Sequence, residues 1–291
     1  AQLPVRLAPV DRMHSALAAL RTAAAGPAGA VWRDLQLLHE AVDLARFDSM
    51  SLDVQDLLLL ETRATNGMEG TLPLGQRYLH ALRGLAGTSP APGEPPDRDG
   101  LVTAWLRIAR DPSRWPKDRE ADPGCIAVAE ARAEADAALE AHGPALARLL
   151  LAYKRMQSVE LPDVDGTPGS DGDAPEFRER LAASLEPGDT AGALAAMHLG
   201  QALARVGLLE RPAWFLAQAL RLTPPPSTDG DTAELAWLAT AIADAAERAA
   251  ARARDVRLQL EVLGHRVRAI GGRDRRRSDM LAVLFRNPGV T

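Results

Sequence analysis

The sequence is poor in cysteine and in aromatic residues: it has one cysteine, Cys125, and 4% aromatic residues, including two Tyr and four Phe. A single cysteine excludes an internal disulfide framework. No uninterrupted apolar run approaches the ~20 residues that a membrane-spanning helix needs. The residues that favour strands are scarce, whereas Ala and Leu, which are strong helix formers, dominate. These absences predict an all-α protein without a membrane span.

The first thirty residues do not resemble a signal peptide, because Arg6, Asp11, Arg12 and Arg21 interrupt them. We therefore expect a cytoplasmic protein. Its 291 residues, 46% hydrophobic and 25% charged, lie at the upper end of one domain.

Apolar residues recur at helical spacing along most of the chain. Met13, Leu17 and Leu20 form one stripe, and a longer one begins after the Asp231-Thr232 cap signal. This longer stripe consists of Leu235, Leu238, Ile242, Ala245, Ala249, Val256, Leu260, Leu263 and Val267. The spacing predicts one helix of about nine turns that ends at Gly271-Gly272.

Three Pro- or Gly-rich stretches break the pattern, at Thr88–Pro96, Asp163–Pro175 and Thr223–Gly230. Asp163–Pro175 has no apolar anchor, which predicts an exposed, mobile loop. None of the three requires a domain boundary. We therefore predict a helical domain over residues 1–271, followed by a linker and a short helix over residues 272–291.

Several segments, in order, resemble the Fic/Doc family and a related bacterial family with a C-terminal helix-turn-helix. The segments are His39–Glu61, Tyr78–Leu85, Ala145–Gly166, Thr190–Leu220, and the long helix with RRRSDMLAVLFRNPGVT after it. The first is similar to a family segment that runs Glu-Ala-Val, then Ser-Ser-Arg-Ile-Glu-Gly, then a Leu-rich helix. The resemblance implies a Fic-like helical bundle with the start of a C-terminal winged helix-turn-helix.

The catalytic loop of that family is missing from this sequence. Family enzymes carry His-Pro-Phe-x-Asp/Glu-Gly-Asn-Gly-Arg, in which the His is the base, and backbone N–H groups and Arg hold phosphate. Here Glu160 stands near the His position, in VELPDVDG, and no Arg or Lys lies between Arg180 and Arg205. A carboxylate is a poor base near pH 7 unless its pKa is raised. We therefore expect no catalytic residues for AMP transfer, with Glu160, Asp163 and Asp165 as degenerate motif positions.

The inhibitory motif that the resemblance implies is also altered. The flanking residues place it at Leu44–Ser49, LARFDS, with Asp48 in the position of the glutamate. Thr65–Gly70 (TNGMEG) fits the spacing of the motif as well. Asn66-Gly67 is a turn signal, however, so we interpret this second match as chance.

The C-terminal end is basic. From Ala251 to Thr291 the sequence has ten Arg and four acidic residues, a balance of +6, on a chain whose net charge is −5. Arg273, Arg275, Arg276 and Arg277 form the densest cluster and are candidates for contacts with DNA phosphates. The alternatives are a solvated helix face or a linker. Gly289-Val290-Thr291 resembles a helix-start signal, which predicts that the native chain continues; a frayed terminus is the alternative.

Metal ligands are not suggested by the remaining polar residues. The six His form no i, i+4 pair, and none lies at zinc-ligand spacing from Cys125. We interpret His198 as a packed helix residue. The aspartates between Asp163 and Asp173 lack the spacing of a calcium loop. We expect no metal and no cofactor.

These observations and the resemblance favour a non-catalytic Fic-like regulatory or scaffold protein that is coupled to duplex DNA through a C-terminal helix-turn-helix. One alternative is a divergent nucleotidyl or phosphoryl transferase in which Glu160, Asp163 and Asp165 take new roles. Another is a protein-interaction module, or a homo-oligomer, without a nucleic-acid role.

Overall fold

Every regular element in the computed structural model is helical, within the residues that it describes. These residues are 4–48, 52–58, 74–87, 100–109, 116–161, 189–223, 225–226 and 231–270. The prediction of an all-α fold is confirmed. No helix among these residues is long and apolar enough to cross a membrane.

Nine α-helices with defined bounds follow one another along the described chain, in addition to a helical segment at residues 54–58. They are α1 (Pro4–Ala23), α2 (Pro27–Ala45), α3 (Leu74–Gly87), α4 (Gly100–Ala109), α5 (Pro123–Glu140), α6 (Ala145–Gln157), α7 (Thr190–Arg205), α8 (Ala217–Leu222) and α9 (Asp231–Ile270). A 3₁₀ turn, Arg46–Asp48, directly follows α2. Side chains cap two of the helix starts: Asp122 accepts from the Cys125 N–H, and Asp189 accepts from the Gly192 N–H.

The core is built around α7 and α9. Nearly the whole of α7 is buried, including Leu194, Met197, Leu199 and Leu203. Helices α6 and α8 pack against α7, and α2 packs against α3 and α9. Gly200 allows a close approach, because a Cβ at this position would lie 2.7 Å from the carbonyl oxygen of Ala213.

Helix α9 makes its most extensive contact with α1. The buried face of α9 is rich in alanine, and this small side chain lets two helices approach closely over several turns. Its buried alanines include Ala239, Ala243, Ala246, Ala250 and Ala253. On α1, the predicted stripe of Met13, Leu17 and Leu20 is buried, which confirms its position on the core side.

Polar contacts show that α1 and α9 run parallel. Near the middle of α1, the guanidinium of Arg12 donates to both carboxylate oxygens of Glu247, at 2.9 and 2.7 Å. At the end of α1, Arg257 Nη2 donates to the carbonyl oxygens of Thr22 and Ala23, at 3.3 and 3.0 Å. Those carbonyls belong to the negative end of the α1 dipole, which a cation stabilises.

The long helix begins at Asp231, as its cap signal predicts, and it is described as far as Ile270. Its predicted stripe is buried from Leu238 to Ala249, whereas Leu260 and Leu263 are only half-buried. Gly271-Gly272, the two loops at Thr88–Pro96 and Asp163–Pro175, and the predicted unit at residues 272–291 lie outside the described residues. The third break is confirmed, because α8 ends at Leu222 and α9 begins at Asp231.

Candidate functional site

The structure describes only part of the degenerate catalytic motif. Glu160 is exposed and lies three residues after the end of α6. Asp163 and Asp165 lie outside the described residues. The predicted grouping of these three carboxylates therefore stays a prediction.

Asp48 is the last residue of the 3₁₀ turn that follows α2. The carbonyl oxygen of its neighbour Phe47 accepts a hydrogen bond from the N–H of Asp189, at 3.1 Å. Asp189 is the N-cap of α7, the helix that follows the predicted motif loop. The structure thus brings the Asp48 segment to the start of α7.

The candidate DNA contacts Arg273, Arg275, Arg276 and Arg277 lie outside the described residues. The structure does describe the helix that leads to them. After Arg257, the last residue of α9 that it shows contacting the end of α1, α9 continues for about three and a half turns. Leu258 and Val262 are exposed there, at 60% and 43%.

A polar cluster between α5 and α7 was not predicted as a unit. We call it the Asp136 cluster, and its members are Arg132, Asp136 and Glu140 on α5, and His198 and Arg205 on α7. His198 Nε2 lies 3.2 Å from Asp136 Oδ1, and Arg132 Nε lies 3.6 Å from Asp136 Oδ2. Arg205 also donates to Asp136 and lies 3.5 Å from Glu140.

The charges around Asp136 favour its ionised form, and burial favours a neutral His198. Burial alone raises the pKa of Asp136, but the hydrogen bond from His198 and the charges of Arg205 and Arg132 outweigh it, so the pKa falls below its ordinary value. Burial lowers the pKa of His198, and the hydrogen bond to Asp136 offsets this only in part. A neutral His198 donates from Nε2 to Asp136, which makes its buried Nδ1 an acceptor.

Burial decides between a structural and a catalytic role for His198. The residue is 2% exposed, and its Nδ1 has no hydrogen-bond partner among the described residues. A general base has to come within hydrogen-bond reach of a substrate, directly or through one water molecule. The predicted packing of His198 in a helix interface is confirmed, and Asp136 is the partner that the sequence did not reveal.

A second polar cluster joins α2, α8 and α9. We call it the Glu40 cluster, and its members are Gln36, His39, Glu40 and Asp43 on α2, Arg46 next to α2, Arg221 on α8, and Arg248 and Arg252 on α9. Glu40 is 1% exposed, and its Oε1 accepts from the N–H groups of Leu216 and Ala217, each at 3.0 Å. These groups belong to the start of α8, where a carboxylate is favoured by the helix dipole.

The carboxylates of the Glu40 cluster behave differently from Asp136. Burial raises the pKa of Glu40 to about 8, despite the two N–H groups that it accepts from. Burial also raises the pKa of Asp43, against the opposing charges of Arg46, Arg252 and Arg221. The described residues give each of these carboxylates too few close donors to offset the loss of water.

Sequence signals for these clusters exist but are weak. Glu40 and Asp43 lie at i, i+3 on α2, with Gln36 one turn before Glu40, and Arg132, Asp136 and Glu140 follow one another at i, i+4. Such spacing is equally typical of solvated faces, and the partners on α7 and α9 are more than sixty residues away. Among the described residues, no group of His, Cys, Asp or Glu side chains could hold a metal ion.

The chain matches no protein-family model, no curated protein and no solved structure. The resemblance to the Fic/Doc family and the helix-turn-helix at the C-terminus therefore stay predictions.

Proposed function

We propose that this protein is a cytoplasmic, non-catalytic regulatory or scaffold protein of Fic-like fold that binds duplex DNA through its basic C-terminal region. The observation that carries the proposal is the geometry of α9. Its 40 residues span about 60 Å at the usual helical rise, from the core to the residue before Gly271-Gly272.

The anchoring of α9 supports a role as a rigid arm. Contacts from Arg12 and Arg257 fix its orientation against α1 at two levels about ten residues apart. The roughly 20 Å of α9 after Arg257 extend past its contacts with the end of α1 and precede the Arg-rich sequence, whereas the rest of the chain is acidic overall. This separation of charge suits a protein that presents one positive end to a polyanion.

The contacts of the buried and partly buried ionisable groups support the proposal that the protein is not catalytic. Asp136, His198 and Glu40 are engaged with neighbouring helices: polar contacts join α5 to α7, and Glu40 stabilises the packing of α2 against α8. Glu160, which stands near the position of the family's catalytic His, is exposed.

Duplex binding is tested by fluorescence anisotropy with a labelled DNA over a range of salt concentrations. We expect the affinity to fall steeply with salt, because bound counterions are released. Arg275→Ala/Arg276→Ala/Arg277→Ala should weaken binding to all sequences alike and reduce the salt slope by about 2–3, as phosphate contacts do.

The matched control removes the same charge from the helical body, with Arg33→Ala/Arg155→Ala/Arg211→Ala. All three of these arginines are exposed. If both triple variants lose affinity equally, the effect is one of net charge and the C-terminal assignment is wrong. If the wild-type protein does not bind duplex DNA at low salt, the DNA-binding proposal is wrong and a protein-interaction module explains the fold better.

The non-catalytic part has its own test, which is incubation with labelled ATP, Mg²⁺ and candidate target proteins. We expect no labelled adduct. A label that appears with wild-type protein and disappears with Glu160→Ala would instead support a divergent nucleotidyl transferase.

A further inference from the structure

The Glu40 cluster contains more positive charge than its carboxylates neutralise. Arg248 and Arg252 lie one turn apart on α9, so their side chains project from the same face of the helix. The charge of Arg252 acts on His39, Glu40 and Asp43, which places it against α2. Arg248 acts on Arg252 as a like charge.

Three guanidinium nitrogens of the two arginines also lack a hydrogen-bond acceptor among the described residues. Nε and Nη2 of Arg248 and Nε of Arg252 are buried, with no hydrogen-bond partner among the described residues. Gln36, one turn before Glu40 on α2, is 4% exposed. The nitrogen and the oxygen of its side-chain amide both have no hydrogen-bond partner among the described residues. Buried donors of this kind are costly unless an acceptor reaches them, and a charged donor is the costliest.

The nearby carboxylates are already engaged elsewhere. Glu40 accepts from the start of α8, and since burial raises its pKa to about 8, it is mostly uncharged at neutral pH. Asp43 accepts from Arg46 Nη1 at 2.8 Å. Neither carboxylate forms an ion pair with Arg248 or Arg252, so no described residue supplies the missing acceptor.

We propose that Arg248 and Arg252 bind a phosphate group between α2 and α9, with the Gln36 amide as an additional neutral donor. The guanidinium fork matches two oxygens of a phosphate, and a doubly charged oxyanion neutralises two neighbouring arginines better than a single carboxylate does. The unpaired nitrogens are buried, so a small molecule suits this site and the backbone of a duplex does not. The proposal is independent of DNA binding by the C-terminal region.

Isothermal titration calorimetry with inorganic phosphate at pH 7 tests the site, with sodium chloride used to hold the ionic strength constant. We expect binding to the wild type and a dissociation constant at least about tenfold higher for Arg248→Gln/Arg252→Gln, which loses the charged donors. Arg254→Gln is the matched control, because Arg254 is exposed on another face of the same helix, and it should bind as the wild type does.

Further titrations identify the source of the phosphate. A single variant then controls for loss of binding that is caused by misfolding. Tighter binding of AMP than of inorganic phosphate would identify a nucleotide; equal binding would identify the free ion. Arg248→Gln alone removes a side chain for which the structure shows no hydrogen bond or ion pair. It should therefore keep the wild-type melting temperature in phosphate-free buffer while it weakens phosphate binding.

Three outcomes would overturn the proposal: no binding of phosphate or AMP to the wild type, equal binding by the double variant, or equal binding of acetate. A melting temperature that falls for Arg248→Gln in phosphate-free buffer would also count against it. That result would show that Arg248 serves the fold itself.

Discussion

The two buried polar clusters differ in how their carboxylates meet their donors, and this difference reverses the direction of the pKa shift. In the Asp136 cluster, one carboxylate receives contacts from His198, Arg132 and Arg205, and its pKa is lowered. In the Glu40 cluster, arginines are more numerous, but among the described residues Glu40 hydrogen-bonds only to backbone N–H groups, and its pKa is raised to about 8. Burial therefore does not decide the charge of a carboxylate by itself, because the number of ionisable donors in contact with it also matters. Asp136 has three such partners and a lowered pKa, whereas Asp43 hydrogen-bonds to Arg46 and its pKa is still raised.

The largest expected effect comes from breaking the better-paired cluster. Asp136→Ala leaves Arg132 and Arg205 without their shared carboxylate, and Arg132 is 5% exposed. Removal of one partner from a buried ion pair typically costs 3–5 kcal/mol, and because Asp136 is partly exposed we expect the free energy of unfolding to fall by about 2–4 kcal/mol. Urea unfolding monitored by circular dichroism measures this change.

A second measurement on the same cluster separates pairing from packing. Asp136→Asn keeps the shape of the side chain but removes its charge, so the pKa of His198 should fall below its wild-type value, because the raising contribution of Asp136 is lost. NMR titration of the His198 ring protons reports this pKa. An unchanged His198 titration would mean that the contact between the two residues is not formed in solution.

The Glu40 cluster should give an effect of similar size, with a distinctive dependence on pH. The folded pKa of Glu40, about 8, lies above its unfolded value near 4.5, so the native state binds more protons between these pH values. Stability from this group is fully present below about pH 4.5 and is lost as the pH rises towards 8. By about pH 8, this loss lowers the free energy of unfolding by about 2–4 kcal/mol.

Glu40→Gln isolates this contribution, because the amide oxygen still accepts from Leu216 and Ala217 but does not ionise. The free energy of unfolding should be compared for the wild type and the variant between pH 5 and 8. Asp43 adds a dependence of the same sign, and His39 and His198, whose pKa values are lowered, add one of opposite sign. The difference between the two proteins removes these shared contributions, and a difference that does not change with pH would contradict the assignment.

Sequence patterns predicted the helices and their buried faces, but they did not predict the clusters. The stripes at Met13–Leu20 and Leu238–Ala249 could be found because helical spacing is a local property that burial of one face imposes. Asp136 and His198 are 62 residues apart, and Glu40 contacts N–H groups 176 residues away. Such pairs depend on which helices pack together, and no spacing within a single sequence encodes that. The sequence likewise showed that α9 is rich in alanine, but it did not show which helix packs against this face, because α1 lies near the opposite end of the chain.

The exposed ion pair of Arg12 should stabilise the fold less than either cluster does. Arg12 donates to both oxygens of Glu247 and lies 2.6 Å from Asp244, yet about half of its side chain is exposed. Water and dissolved ions screen such a pair, so Arg12→Gln should lower the free energy of unfolding by only about 0.5–1 kcal/mol, and the loss should shrink in 1 M salt. Urea unfolding at low and high salt measures both quantities. A loss as large as that of Asp136→Ala would show that the number of contacts, rather than their burial, determines how much a charged group stabilises this fold.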